Sequence, residues 1–246
     1  LPNLRGQKGY SFTNVFGLAV GLAAFLAIAQ YTAFELSFDR FHSNADRIYR
    51  IQHDTYREDV LESRSATTFA GVAGAMKESI SEVDEATHFY PSEGTVWHGD
   101  VVFNEKQILF ADAGFLQVFH FPMTVGSAAG ALAGPPTVVL TATAARKYFG
   151  DENPLGKLLS VRQNISGLDA TGRVTGVVED PPPNSHIQFD MLFSISTRWE
   201  TGNWNDAQSW EHANLYTYVM LKPGAAPEAV AAKLPRHAAP ISAQGR

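Results

Sequence analysis

The 246-residue chain has no cysteine, which excludes a disulfide scaffold, thiol catalysis and zinc held by thiolates. The absence carries no information on compartment, because exported and cytosolic proteins alike can lack the residue. Basic charge is scarce as well. Nineteen Lys and Arg stand against 25 Asp and Glu, a net charge of −6, so no overall field draws in nucleic acid. The most informative absence is local: no charged residue occurs from Gly9 to Phe34.

Motifs that carry chemistry are missing too. A phosphate loop needs GxxxxGK followed by Ser or Thr, between a strand and a helix, so that backbone N–H groups at the helix start can cradle phosphate. Gly150 to Lys157 only imitates it, with five residues between Gly150 and Gly156 and Leu158 where the hydroxyl should stand. Gly150, Pro154 and Gly156 are read as turn residues. No Ser lies in GxSxG, and no Lys follows a Ser by three positions. The eight His are scattered, with no HxH or HExxH pair to share a metal, and each is read as a surface or hydrogen-bonded residue. Glu179 and Asp180, ahead of three prolines, are neighbours on an extended chain whose side chains point apart, and are read as turn residues. The expectation is no catalytic residue, no metal ligand and no cofactor.

What is present begins with Tyr10 to Phe34, 25 uncharged residues that exceed the ~30 Å hydrocarbon core of a bilayer at a helical rise of about 1.5 Å per residue. Residues 1 to 9 hold Arg5 and Lys8 and no acid, which leaves 17 bases against 25 acids in the rest, a net of −8. By the positive-inside rule the N-terminus is cytoplasmic and everything after Glu35 lies outside. Gly17 and Gly21 form a GxxxG pair that Ala24 and Ile28 continue on one helix face, a strip where a neighbouring helix could pack. A plain lipid-facing anchor is the competing reading of the same residues. Two further readings of the segment stay open: a signal peptide cleaved after Ala27-Ile28-Ala29, and a buried helix of a soluble protein. A mature N-terminus at Gln30 would decide for the signal peptide.

After the span, Phe38 and Phe41 are placed to seat the domain at the membrane exit, and Ser43 to Asp46 is read as a turn. Arg47 to His53 has strand character, and a helix capped by Thr67 or Thr68 is expected to run to Ile80 with Phe69, Val72, Met76 and Ile80 on one face. Three strands follow, at Ala86–Tyr90, Thr95–Phe103 with a break at His98-Gly99-Asp100, and Gln107–Ala111. Asp112 caps a short helix to Phe119. The best-formed local signal is strand Thr137–Leu140, cap Thr141, helix Ala142–Phe149 and stop Gly150. Further strands are expected at Lys157–Gln163, Gly172–Glu179, Ile187–Ile195 and Leu215–Leu221, then a helix from Pro227 to Leu234. Trp97, Trp199, Trp204 and Trp210, with Tyr216 and Tyr218, are read as core, a carbohydrate or partner surface being the other reading. Strands and helices intersperse without a βαβ rhythm, which points to an α+β fold.

The blocks RGQKGYSFTNVFGLAVGLAAFLAIAQYTAFELSFDRFHSNADRIYRI, VVLTATAARKYFGDENPLGK and VTGVVEDPPPNSHIQFDMLFS, with the later YTYVMLKPGA, resemble the MacB/FtsX-type ABC transporter permeases. The resemblance runs in order from Arg5 to Leu234. It implies a cytoplasmic tip at 1–9, a transmembrane helix at 10–34, a periplasmic core domain of two mixed α/β lobes at 35–234 and a loose end at 235–246. It implies also that ATP is hydrolysed by a separate ABC ATPase subunit, and that the periplasmic domain acts as a lever moved by the membrane helices. A second permease copy or half, a periplasmic adaptor or substrate, and membrane lipid are the implied partners; nucleic acid is not. Complete permeases carry further spans after this domain, so the chain is expected to be a fragment of an inner-membrane subunit. An exported binding protein and a membrane-anchored ectodomain enzyme are the alternatives.

Overall fold

The structure, a computed structural model, describes residues 8–134, 136–164, 169–200, 208–234 and 242–243. Arg5, Trp204 and most of 235–246 lie outside the described residues. Helix α1 spans Lys8–Glu35. Its side chains from Gly9 onward are exposed almost throughout, and 27 of its residues are long and apolar enough to cross a membrane. Its length and apolar composition fit a membrane span.

The remaining elements form one mixed sheet with helices on its faces. In chain order they are β1 Ile48–Ile51, β2 His53–Arg57, β3 Val60–Ser65, α2 Gly71–Ser79, β4 Val83–His98, β5 Val101–Ala111, α3 Phe115–Val118, β6 Met123–Gly126, β7 Thr137–Thr141, α4 Ala142–Phe149, β8 Leu158–Gln163, β9 Asp169–Val178, β10 Met191–Ser194, α5 Ser196–Glu200, β11 Tyr216–Leu221, α6 Pro227–Ala231 and β12 Ser242–Ala243. Strand order is β12-β1-β11-β4-β5-β10-β7-β9-β6, and β8 bridges β4 and β9. Among the described strands, β5 with β10 and β7 with β9 run parallel and the other pairs antiparallel. Strands β2 and β3 make a separate hairpin whose turn residues Glu58 and Asp59 are left-handed. In the segment expected to be loose, Ser242 and Ala243 pair with Arg50 and Tyr49.

The central strands alternate between two buried faces, as strands covered on both sides must. Ile108, Phe110, Val138, Leu140, Met191 and Phe193 point to the cluster under α4. Leu109, Ala111, Val139, Leu192 and Tyr218 point the other way, into a cluster built by α3, Phe119, Phe121 and Phe189. A third cluster joins α2 to Val83, Val219 and Leu221 at the β11 end of the sheet. The sheet thus carries one helical cover at the β11 end and another at the β7 to β9 end.

The strand-cap-helix unit is observed as read: the Thr141 hydroxyl accepts from Ala144 N at 3.2 Å, and Gly150 ends α4 at φ 61°. Several expectations need correction. The helix expected from Asp112 is only Phe115–Val118, with Gly114 rather than Asp112 at its N-cap, and the strand expected over Ile187–Ile195 is confined to Met191–Ser194. The three strands between Ala86 and Ala111 are two long ones, because His98-Gly99-Asp100 is the turn of a β4–β5 hairpin with Gly99 at φ 56°. Thr67 and Thr68 do not cap α2, whose N-cap is Ala70; their backbone and hydroxyls are committed to Ala213, Leu215 and Thr217 instead. The strand read across Arg47–His53 breaks at Gln52, where the chain leaves the main sheet for the β2–β3 hairpin.

Candidate functional site: the helix exit

At the end of α1, Leu36 N and Ser37 N still donate to Thr32 O and Phe34 O, and then Asp39 turns the chain sharply with φ 58°. A left-handed residue that is not glycine is tolerated best when its short polar side chain bonds locally. Asp39 does so. Its carboxylate accepts from His186 N at 3.0 Å and pairs with His186 Nδ1 at 2.8 Å, and its own N–H donates to Asn184 O at 2.9 Å. Asn184 Nδ2 returns two bonds of 3.0 Å to Ser37 O and Oγ. Burial pushes the Asp39 carboxyl up, yet the side-chain and backbone hydrogen bonds from His186 outweigh it and hold the group below the usual carboxylate range.

The loop that grips Asp39 is fastened in turn. His186 Nε2 lies 3.1 Å from the Tyr218 hydroxyl on β11, in the middle of the sheet. At the loop's start, Asp180 accepts from Thr143 N and Oγ1 at the head of α4, at 3.0 and 2.7 Å. Between these anchors Pro181, Pro182 and Pro183 restrict the backbone. The arrangement is a hydrogen-bonded path from the last turn of α1 through Asp39 and His186 to the sheet, with a branch to α4.

A second fixing point follows three residues later. His42 is buried against Phe41, Phe119 and Phe121, with ring centroids 3.9, 5.5 and 5.1 Å away, and its Nδ1 sits 3.3 Å from His120 O. Burial among these rings drives its pKa from 6.5 to about 4, so the imidazole is neutral and Nδ1–H is the donor. Arg47 Nη1 then donates to Leu221 O at 2.6 Å.

The residues singled out in the sequence divide into two groups. Gly17, Gly21, Ala24 and Ile28 share one face of α1, all exposed, and a Cβ at either glycine would meet nothing within 4 Å. Phe38 and Phe41 are half-buried: Phe38 packs edge-on against Phe34 at 5.4 Å, and Phe41 against Phe121 at 5.8 Å. Asp39, His42, Asn184 and His186 were missed. Their signal in the sequence is an acid and an imidazole set inside an aromatic run, and a polar Asn-Ser-His behind three prolines. Of the tryptophans, Trp97 is half-buried and Trp210 is exposed, resting near Phe69 at 6.0 Å. No group of three or more Asp, Glu or His able to hold a metal occurs among the described residues.

The family profile described as "MacB-like periplasmic core domain" matches residues 11–237, which takes in nearly all of α1, its exit and every strand of the sheet except β12. The chain belongs to the MacB-like periplasmic core domain family. A domain of a candidate permease protein from Porphyromonas gingivalis is similar at 30% identity and a TM-score of 0.63, over 78% of this chain and 83% of that one. The periplasmic region of MacB from Actinobacillus actinomycetemcomitans shares the fold at 17% identity and a TM-score of 0.54, over 76% of this chain and 82% of that one. So does the extracellular domain of the noncanonic ABC-type transporter YknZ from Gram-positive bacteria, at 14% identity and 0.53, over 75% and 88%. Comparison with curated proteins finds no match. Membership fits a component of an ABC-type transporter permease, and the apolar helix with its periplasmic-type domain fits an inner-membrane protein.

Proposed function

We propose that the chain is part of a permease subunit of an ABC-type export or mechanotransmission system. Its N-terminus is cytoplasmic, its α/β domain lies outside the membrane, and a separate ABC ATPase supplies the work. The domain couples movement of the membrane helices to a substrate or partner beyond the membrane. One observation carries the reading: the helix does not end in a slack linker but in the Asp39–His186–Tyr218 path, so a displacement of α1 is passed to the sheet. Phe38 and Phe41 pad that seat on its membrane side.

Topology is tested directly because the chain has no cysteine to remove. With single substitutions Gln7→Cys and Asp100→Cys, a membrane-impermeant maleimide applied to spheroplasts is expected to label position 100, and position 7 only after permeabilisation. The opposite pattern overturns the orientation. The exposed face of α1 is read as the contact with a second permease copy or half, where small residues let backbones approach. Gly17→Leu is expected to reduce crosslinking between assembled subunits several-fold while leaving the ectodomain intact, and unchanged crosslinking removes that role.

A further inference from the structure

Beside the helix exit lies a half-open cleft of about 370 Å³, lined by Arg50, Phe89, Pro91, Leu109, His186, Ile187, Gln188, Tyr216 and Tyr218. That volume falls at the small end of the ~300–1,000 Å³ range of ligand pockets. One wall is a stack of rings: Phe89 lies 5.5 Å from Tyr216 at 21° and 5.8 Å from Tyr218 at 7°. Pairing of β11 with β4 sets Tyr216 opposite Phe89, and pairing with β1 sets Tyr218 opposite Arg50. Such a wall offers an incoming aromatic ring an offset-stacked neighbour.

The polar side of the cleft is unbalanced. Arg50 is half-buried and forms no ion pair among the described residues, and its Nε is buried with no hydrogen-bond partner. The guanidinium meets the Tyr218 hydroxyl, yet its Nε donor stays idle, and its planar fork suits a carboxylate that could take that donor up. No described lining residue is a carboxylate. Asp39, the acid paired with the lining residue His186, is taken up by that imidazole. We infer that this cleft binds an aromatic carboxylate, its ring against Phe89 and Tyr216 and its carboxylate on Arg50.

The test uses the full chain in lipid nanodiscs, with empty nanodiscs as blank. Calorimetric titration with 4-phenylbutyrate is compared with its neutral amide, which keeps the ring and loses the charge, and with octanoate, which keeps the charge and loses the ring. Phenylbutyrate is expected to bind at least about tenfold tighter than either, the scale of one charge-assisted bidentate pair. The margin over the amide should vanish in Arg50→Gln and the margin over octanoate in Phe89→Leu. Because either variant could disturb the sheet, the Ile187 methyl resonance of the unmodified chain is followed as well, and phenylbutyrate is expected to shift it. No binding, equal binding of acid and amide, equal binding of octanoate, or an unmoved Ile187 methyl each overturns the assignment.

Discussion

Asp39→Ala is expected to cost the ectodomain roughly 3 kcal/mol and to free the end of α1 from the sheet. Two donors on His186 lose a charged acceptor, and a hydrogen bond to a charged group contributes about 1.5–3 kcal/mol, with the larger share lost when its partner stays buried and unmatched. Alanine at φ 58° adds a left-handed backbone cost of about 1 kcal/mol, partly relieved if the freed turn rearranges. Graded variants separate the terms. Asp39→Asn keeps an acceptor and tolerates the backbone, so it should lose least; Asp39→Gly removes the backbone cost but not the lost bonds, and should fall between. Thermal unfolding of the chain in micelles reads the order, with a drop of about 6–12 °C for alanine in a domain of this size. Assembled with its ATPase, Asp39→Ala is expected to leave ATP hydrolysis in place and to abolish export. Full export by a variant so destabilised removes the coupling reading.

The same junction shows what sequence could and could not supply. The apolar helix over Tyr10 to Phe34 was legible because its signal, an uncharged run of sufficient length, depends on composition and length alone. Thr141, α4 and Gly150 were legible because their signals lie within a dozen residues and act locally. Gly94 shows the opposite case. A Cβ there would come within 2.3 Å of Arg162 O, because β8 crosses β4 at that point, and only the tertiary pairing creates the demand for glycine. The seat is of this second kind. Asp39 and His186 are 147 positions apart, and each alone reads as an ordinary polar residue. Thr67 and Thr68 misled for a related reason: a hydroxyl before a helix is a cap by default, but the β11 segment offered them other partners.

His42 gives the seat a pH limit. Below pH 6.5 an unfolded chain takes up a proton on this imidazole, while the folded protein does not until about pH 4. The folded state therefore loses stability as pH falls through that window and has lost all of this contribution at its lower end. The shift corresponds to roughly 3 kcal/mol at about 1.4 kcal/mol per pH unit. Attraction between the protonated ring and Phe119 or Phe121 returns only about 0.5–1 kcal/mol, so desolvation of Nε2, which is buried with no partner, decides the sign. Asp39 acts in a separate window, since its depressed carboxyl titrates below the ordinary 3.8 and withdraws stability only under more acid conditions. His88 and Asp112 form a second buried pair whose acid responses oppose each other, because burial lowers the imidazole and raises the carboxyl, so a comparison with a variant of His42 is needed to isolate that residue. Replacement isolates the one residue: His42→Asn keeps an N–H near Nδ1 for His120 O and cannot titrate in this range. Denaturant unfolding at pH 7 should show the variant weaker by its lost ring packing. Between pH 6.5 and 4 its stability should decline less than that of the unmodified chain by about 2–3 kcal/mol. Parallel declines would show that the imidazole takes its proton in the folded state, and the acid sensitivity of the exit would then belong to other groups.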